Sequence, residues 1–416
     1  MRAELVAIGS ELLLGDAVDT NSAWISARLA EIGVDVHRHT TVGDNVERMV
    51  DVIAGACARA DAVIVTGGLG PTADDLTRVA VARVAGVALE RRDALAEYLY
   101  SYWARTGREM PESNLVQADL PVGATVLEPV GTAAGFKVAV GDSTVWCVPG
   151  VPREMEVMVA RDVVPALRAQ AGTATTISRV VRTSGMAESA VGKACAAIVA
   201  RLEAVGNPTL AFLASRGETR VRLTAKAASR EEALALLDPL VAEVVEVLGA
   251  GVVGIDDEGV EWTIARQLRA LGLTVGLGES VTGGHVAARL VAVPGASEWL
   301  RGSLVTYATE VKSTVAGVDA GVVAENGPVS EATAAALASG ARERLGADVG
   351  LAVVGVAGPA TQGGQPVGLT CVAVALPDGA VRTAVRRLPA RARTELQEFA
   401  ASMALDFLRR QLARLG

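Results

Sequence analysis

Aromatic residues, histidine and cysteine are scarce in this chain. Aromatic residues make up 3% of its 416 residues, and there are three histidines and four cysteines. No two cysteines form a CxxC pattern, and no histidine falls in HExxH. This scarcity argues against a disulfide framework and against a zinc site built on those ligands. With so few aromatic residues, we expect cores built from Ala, Val and Leu.

The chain also lacks an excess of positive charge and any long hydrophobic run. Its net charge is −8, which disfavours general nucleic-acid binding but allows a basic pocket around one phosphate. Glu4 and Glu11 interrupt the apolar core that a signal peptide needs. The uncharged stretch 349–377 is broken by Gly358-Pro359 into runs too short to cross a bilayer. We expect a cytoplasmic protein that contacts no membrane and no nucleic acid.

Hydrophobic patterning divides the chain into three predicted domains, residues 1–170, 171–256 and 257–416. Their number agrees with the two or three domains expected at roughly 150 residues each. In the first domain, short apolar segments alternate with helical patterns, which indicates a parallel sheet covered on both faces. Its ligand loops, 10–20 and 67–75, are expected at the carboxyl ends of strands.

The middle domain has the predicted order strand, helix, strand, strand, helix, strand. One helix is expected over 187–202 and a hairpin turn at Arg216-Gly217. This order predicts a small split βαβ fold, which we interpret as a spacer or dimerisation domain. The last domain alternates strands and helices again. The whole chain is therefore predicted to be an α/β protein.

A serine-containing turn, Gly278–Gly284, joins an apolar strand to a helix in the last domain. Thr282 can cap that helix, and Gly283 and Gly284 would expose backbone N–H groups at its positive end. Ser280 would then lie beside donors able to hold an oxyanion or a phosphate. An ordinary capped turn explains the same residues, and on this motif alone it is the better explanation.

Tyr307 and Lys312 follow the next predicted strand. A nucleophilic serine needs a base, and no histidine is well placed along the sequence. Partial burial would lower the pKa of Lys312 and let its amine accept the serine proton, while Tyr307 could orient the substrate. The alternative is a surface lysine beside a half-buried tyrosine. Gly355 and Gly358, at a later strand end, would let the backbone approach a ligand, unless they belong to a plain surface loop.

Taken in order, these three motifs resemble one family. The last domain is similar to the nicotinamide-nucleotide amidohydrolases of the CinA (competence/damage-inducible protein) family. Those carry a glutamate-serine-x-threonine-glycine-glycine turn, a tyrosine with a lysine five residues later, and a glycine-proline loop leading to proline-valine-glycine. The resemblance implies that Ser280, Lys312 and Tyr307 are catalytic. It implies deamidation of nicotinamide mononucleotide to the acid and ammonia, with no cofactor.

Substrate contacts at this site are assigned to the other motif residues, Thr282, Gly283, Gly284, Gly355 and Gly358. Two positions depart from the family pattern. Val281 stands where cysteine is usual, which leaves the serine chemistry unaffected. Gln365 stands where lysine is usual, which removes a positive charge available to the nucleotide phosphate.

A loop rich in glycine and aspartate, Thr66–Asp75, ends a strand of the first domain. Its backbone donors suit an anion, and its paired carboxylates suit a hard divalent cation. We expect the anion to be bound by Gly67, Gly68, Gly70 and Thr72. We expect the metal to be bound by Asp75, Asp74 and Glu11. A pyrophosphate bridged by a metal would suit such a site. The alternative is an aspartate that caps the next helix, with loops that bind nothing.

The first domain resembles the molybdopterin-binding (MoaB/MogA-like) fold found at the start of CinA proteins, and 185–189 resembles their middle domain. The matching segments are 9–22, 42–45, 66–75, 131–136 and 149–155. The resemblance implies a homodimer and a metal-dependent ADP-ribose pyrophosphatase, without identifying the metal. The alternative is a non-catalytic nucleotide- or molybdopterin-binding module in a partner protein of DNA uptake or repair. Incubation with ADP-ribose and a divalent metal separates the two.

Overall fold

The computed structural model describes residues 1–172, 174–215, 218–389 and 392–416. The hairpin turn predicted at Arg216-Gly217 lies outside the described residues. The chain forms two compact units. The first comprises Met1–Ile177 with Ala225–Ala235, and the second comprises Ser178–Thr224 with Leu236–Gly416.

The N-terminal region of the first unit contains eight strands and seven α-helices. The strands are β1 (Arg2–Ile8), β2 (Asp35–Val42), β3 (Ala62–Thr66), β4 (Leu89–Arg91), β5 (Asp119–Pro121), β6 (Thr125–Leu127), β7 (Gly135–Val140) and β8 (Ser143–Val148). The helices are α1 (Ser10–Leu14), α2 (Thr20–Glu31), α3 (Val46–Cys57), α4 (Thr77–Ala85), α5 (Asp93–Arg105), α6 (Pro152–Met158) and α7 (Val164–Ala171).

The main sheet here has the order β2-β1-β3-β8-β7-β6. The first four strands are parallel, as predicted, and β3 is buried along its whole length. Val63 and Val65 face one hydrophobic core while Ala62 and Ile64 face another, so both sides of the sheet are covered. The strands β7 and β6 run antiparallel. Only two residues separate β7 from β8, and so short a connection can join only antiparallel strands.

One local expectation for this region was wrong. The predicted loop 10–20 contains the short helix α1. The helix that follows begins at Thr20 and is capped by Asp19, whose carboxylate accepts the N–H of Ser22. A carboxylate placed before the first turn is a good N-cap.

The middle region forms a four-stranded sheet with the order β10-β11-β9-β12. Its strands are β9 (Thr175–Ser184), β10 (Thr209–Ser215), β11 (Glu218–Ala227) and β12 (Val252–Ile255). Its helices are α8 (Glu188–Ala194), α9 (Ala196–Val205) and α10 (Arg230–Leu248). The split βαβ prediction is confirmed. The single helix predicted over 187–202 is interrupted at Cys195, whose backbone leaves the helical conformation.

The C-terminal region is a five-stranded sheet with helices. The strands are β13 (Val275–Glu279), β14 (Leu300–Val305), β15 (Val349–Gly355), β16 (Leu369–Ala375) and β17 (Val381–Arg387). The helices are α11 (Val260–Leu271), α12 (His285–Val291), α13 (Thr309–Thr314), α14 (Ala320–Asn326), α15 (Glu331–Arg344) and α16 (Arg393–Leu412). The order is β14-β13-β15-β16-β17. The strands β14, β13 and β15 are parallel to one another, whereas β16 is antiparallel to β15 and β17 is antiparallel to β16. The carboxyl ends of β13, β14 and β15 therefore meet at one edge of the sheet. Among the described residues, no helix is both long and apolar enough to span a membrane.

Candidate functional site

A serine and a lysine are in contact at the carboxyl ends of β13 and β14. Ser280 directly follows β13, and Lys312 lies on α13, which follows β14. The Lys312 Nζ is 3.1 Å from the Ser280 Oγ. The lysine is 2% exposed and the serine 8% exposed. The alternative of a surface lysine is therefore wrong, because the parallel pairing of β13 with β14 brings α13 over the serine.

The amine of Lys312 also donates to the carbonyl oxygen of Thr306, at 3.0 Å. Burial lowers the pKa of Lys312, and the nearby carboxylate of Glu310 opposes that shift. A larger fraction of Lys312 is consequently neutral at moderate pH than of a free lysine. A neutral amine that donates to Thr306 keeps its lone pair available for the hydroxyl of Ser280.

The carboxylate of Glu279 holds the turn that contains the serine. It is 1% exposed. It accepts hydrogen bonds from the hydroxyls of Thr282 and Ser303, at 2.8 and 3.0 Å. It also accepts from backbone N–H groups that begin α12, those of Gly284, Val286 and Ala287. A carboxylate at the positive end of a helix satisfies the N–H groups that lack helical partners.

This arrangement corrects the expectation for the glycines of the turn. The N-cap of α12 is Gly284, and Thr282 instead donates its hydroxyl to Glu279. The N–H of Gly284 is occupied by the same carboxylate, so it is not an open anion donor. Sequence reasoning missed Glu279, although a glutamate at the end of an otherwise apolar strand was a signal for a buried, fully bonded carboxylate.

A cavity of about 340 Å³ opens beside the serine and lysine. Tyr307, Gly355 and Gly358 contribute to its lining, as predicted residues of the site. Val281 also lines it, whereas Thr282, Gly283 and Gly284 are not among its lining residues. The remaining lining residues come mainly from the glycine-proline loop and from the end of β15: Val356, Ala357, Pro359, Ala360, Thr361 and Gln362.

Arg393, the first residue of α16, also lines this cavity. Its guanidinium donates to the hydroxyl of Tyr307 and to the carbonyl of Gly358. Tyr307 is 56% exposed, so this bond fixes a side chain that packing holds only in part. Sequence reasoning missed Arg393, because it lies far along the chain from the other motifs and no local pattern marks it.

A second group of predicted residues lines a cleft of about 380 Å³ in the N-terminal region. The residues predicted there that contribute to its lining are Glu11, Gly67, Gly68, Gly70, Asp74 and Asp75. The cleft lies at the carboxyl ends of β1, β3 and β8, as expected for a parallel sheet. Thr72 is not among the lining residues, but it contacts Asp75.

The carboxylate of Asp75 holds its own loop together. One oxygen accepts the N–H of Gly70 at 2.8 Å, and the other accepts the N–H and hydroxyl of Thr72 at 2.8 and 2.5 Å. The alternative that an aspartate here caps the next helix is wrong, because the N-cap of α4 is Leu76. The glycines serve the same loop: Gly67 has φ +97° and a Cβ there would collide with the carbonyl of Ile8.

The cleft contains no complete metal cage. Within the described ranges, no three His, Cys, Asp or Glu residues are grouped so that they could hold a metal ion. Glu11 and Asp74 are exposed at the cleft. Asp44 accepts the N–H and hydroxyl of Ser10, at 2.9 and 2.7 Å. Glu11 and Asp74 are the exposed carboxylates that would hold a hard divalent cation here, and such an ion would need further oxygen ligands from a substrate or from water.

Three family models match this chain in succession. Residues 4–169 match the probable molybdopterin binding domain, residues 178–254 the damage-inducible protein CinA KH domain, and residues 257–412 the CinA C-terminal domain. The molybdopterin-binding-like fold predicted for the first region is confirmed.

Individual relatives agree with these matches. The chain is 48% identical over 422 residues to a CinA-like protein of Frankia casuarinae, covering 100% of this chain and 97% of the relative. It is 39% identical over 419 residues to a CinA-like protein of Gloeothece citriformis, covering 99% of each. A competence damage-inducible protein A of Klebsiella pneumoniae has a solved structure with 32% identity and a TM-score of 0.36, covering 38% of this chain and 97% of that one. Because relatives this similar span the whole sequence, the chain belongs to the CinA family.

Proposed function

We propose that the C-terminal site hydrolyses the carboxamide of nicotinamide mononucleotide. The observation that carries this proposal is the 3.1 Å contact between the buried amine of Lys312 and the hydroxyl of Ser280. A nucleophile within hydrogen-bond reach of its base is the arrangement that acyl transfer to serine requires.

The reaction proceeds in two steps. The Lys312 amine takes the hydroxyl proton while the Ser280 Oγ bonds to the carboxamide carbon. The carbon–nitrogen bond then breaks, and the lysine returns the proton to the departing ammonia. Water next attacks the ester with the same lysine as base, releasing nicotinate mononucleotide and the free serine. The amide of Val281 donates to no other residue in the described part of the chain, and it lies next to the nucleophile, so we assign it to the oxyanion.

The remaining lining residues suit a mononucleotide. A cavity of about 340 Å³ lies in the range of small-ligand sites. Arg393 supplies a guanidinium for the phosphate, a role for which bidentate geometry is well suited. Tyr307 keeps that guanidinium in place. Gly355 and Gly358 let the backbone approach the substrate.

Replacing the nucleophile tests this proposal. Ser280→Ala is expected to reduce ammonia release from nicotinamide mononucleotide by at least about a thousandfold, with the dissociation constant for the substrate unchanged. Ser313→Ala, on the same helix as Lys312 but outside the cavity lining, is the matched control and should keep wild-type activity. Ammonia release by the Ser280 variant at the wild-type rate would contradict the serine mechanism.

We propose a second activity, metal-dependent hydrolysis of ADP-ribose, at the N-terminal cleft. Glu11 and Asp74 are exposed carboxylates that line the cleft and would hold a divalent ion shared with the pyrophosphate, and Asp75 holds the neighbouring loop together. The ion would neutralise charge on the phosphate oxygens. Nicotinamide mononucleotide and ADP-ribose are both fragments of the same dinucleotide, so the two activities would act on products of the same breakdown.

A binding module is the second candidate for this cleft. The three hydrogen bonds that Asp75 accepts from its own loop favour it, because that carboxylate has a structural role without any ligand. Incubation with ADP-ribose and a divalent metal separates the candidates: release of AMP supports the enzyme, and tight binding without AMP supports a nucleotide- or molybdopterin-binding module. That the chain is a cytoplasmic homodimer, contacting neither nucleic acid nor membrane, stays a prediction.

A further inference from the structure

Glu154 is a carboxylate of the N-terminal cleft to which none of the preceding assignments gives a role. It lies in the first turn of α6 and lines the cleft together with Glu11, Asp74 and Asp75. In the part of the chain that the structure describes, no group donates a hydrogen bond to its carboxylate and no cation pairs with it. It is only partly exposed, and a half-buried carboxylate without a donor is costly unless a ligand or water completes it.

The other carboxylates of the cleft have different surroundings. Asp75 accepts three hydrogen bonds from its own loop, and Asp44 accepts two from Ser10. The carboxylates of Asp75 and Asp44 therefore already accept hydrogen bonds from the protein. Glu11 and Asp74 are exposed, which suits a hydrated cation. Glu154 alone among the cleft's acidic residues is both partly shielded from solvent and without a protein donor in the described ranges.

The backbone around Glu154 is held firmly. Gly131 packs so closely against the carboxylate that a Cβ at position 131 would collide with its oxygens. The hydroxyl of Tyr98 donates to the carbonyl of Gly131 at 2.9 Å. The side chain of Asn21 donates to the carbonyl of Gly150 at 2.8 Å, which fixes the segment that leads into α6. The fold thus fixes the backbone on both sides of the Glu154 side chain.

We propose that Glu154 is the general base for hydrolysis at this cleft. This inference rests on the proposed ADP-ribose pyrophosphatase activity. A water molecule gives a proton to the Glu154 carboxylate while its oxygen bonds to one phosphorus of the pyrophosphate. The bond between that phosphorus and the bridging oxygen breaks, and AMP and ribose 5-phosphate leave; the proton passes from Glu154 to solvent. Burial raises the pKa of Glu154, which makes it a stronger base than an exposed glutamate.

Glu154→Gln in the full-length chain tests the inference, with AMP release measured at saturating ADP-ribose and magnesium. The expected result is a kcat lower by about a hundredfold or more, with an unchanged dissociation constant for ADP-ribose and unchanged ammonia release from the C-terminal site. Glu156→Gln, two residues further along α6 and outside the cleft lining, is the matched control and should retain the wild-type kcat. In Glu154→Ala, added formate should restore part of the lost rate by acting as a substitute base.

Three outcomes would overturn the inference. A Glu154→Gln variant with a wild-type kcat would remove the base role. A loss that excess magnesium repairs would make Glu154 a metal ligand instead. A wild-type protein that binds ADP-ribose but never releases AMP would overturn both the pyrophosphatase proposal and this inference. If instead the wild type and the Glu154→Gln variant are both active, only the inference about Glu154 fails.

Discussion

The two candidate sites of this protein differ in how closely the folded chain brings their polar side chains together. At the C-terminal site, Lys312 and Ser280 are buried and already in contact. At the N-terminal site, Glu11 and Asp74 are exposed, and no group of three metal-binding side chains is present among the described residues. Covalent acyl transfer needs two side chains at a fixed separation, whereas a shared metal ion can be completed by the substrate.

The two sites share one structural device. Each has a carboxylate that accepts backbone N–H groups in the segment after a parallel strand: Glu279 at the end of β13 and Asp75 in the loop after β3. In both places the carboxylate fixes the geometry of the loop. Acidic residues near a strand end are therefore poor markers of catalysis unless their hydrogen bonds are known.

The largest expected effect comes from Lys312→Met, which keeps the length of the side chain but removes the base. Ammonia release should fall by about a thousandfold or more, while AMP release stays unchanged. Burial lowers the pKa of Lys312, so its amine is protonated less readily in the folded chain than in the unfolded chain. The unfolding free energy that Lys312 contributes therefore declines as the pH falls below the ordinary lysine pKa. Thermal unfolding at pH 7 should therefore show a midpoint equal to or above that of wild type; a large decrease would contradict a desolvated amine.

A smaller effect is expected from Asp75→Asn, which weakens the hydrogen bonds to Gly70 and Thr72. We expect AMP release to fall by about ten- to a hundredfold and the first unit to lose about 1–3 kcal/mol of unfolding free energy in chemical denaturation. Asp74→Asn is the comparison variant, because it should raise the magnesium concentration needed for half-maximal rate without changing stability. Equal stability losses in both variants would show that Asp75 has no special role in the loop.

Arg393→Gln should raise KM for nicotinamide mononucleotide by about tenfold, equivalent to about 1.4 kcal/mol, with a smaller change in kcat. The physical reason is the loss of the guanidinium assigned to the phosphate. The variant should also discriminate less between the mononucleotide and its dephosphorylated riboside. Arg382→Gln on β17 removes an equal charge outside the cavity lining and controls for net charge. A lower kcat at constant KM would contradict the assignment to the phosphate.

The smallest effect is expected from Glu310→Gln. The Glu310 carboxylate raises the pKa of Lys312, so its removal should lower that pKa. Because the neutral amine is the active form, the rising acid limb of the pH–rate profile for ammonia release should move to lower pH. The shift should shrink at high salt, since Glu310 is exposed and screened. A shift toward higher pH would mean that Lys312 acts in its charged form.

The sequence by itself predicted the order of the elements and singled out Ser280 and Lys312, which the structure brings into contact. Apolar strands alternating with helices predicted the parallel strands β1, β3 and β8, and the turn around Ser280 with Lys312 further along predicted their chemistry. These features are local or periodic along the chain, so they can be recognised from the sequence alone. The antiparallel strands β6 and β7 were not predicted, although they pair with their neighbours in sequence. The two-residue connection from β7 to β8 is the local feature that dictates antiparallel pairing there.

Only the tertiary structure decided which polar groups are free. Glu279 accepts the N–H of Gly284, which was expected to be open to a ligand, and Asp75 accepts three hydrogen bonds from its own loop. Glu154, in contrast, has no donor among the described residues. Arg393 reaches Tyr307 from a helix 86 residues later. Hydrogen-bond partners and burial arise from packing between remote segments, and no periodicity in the sequence encodes them.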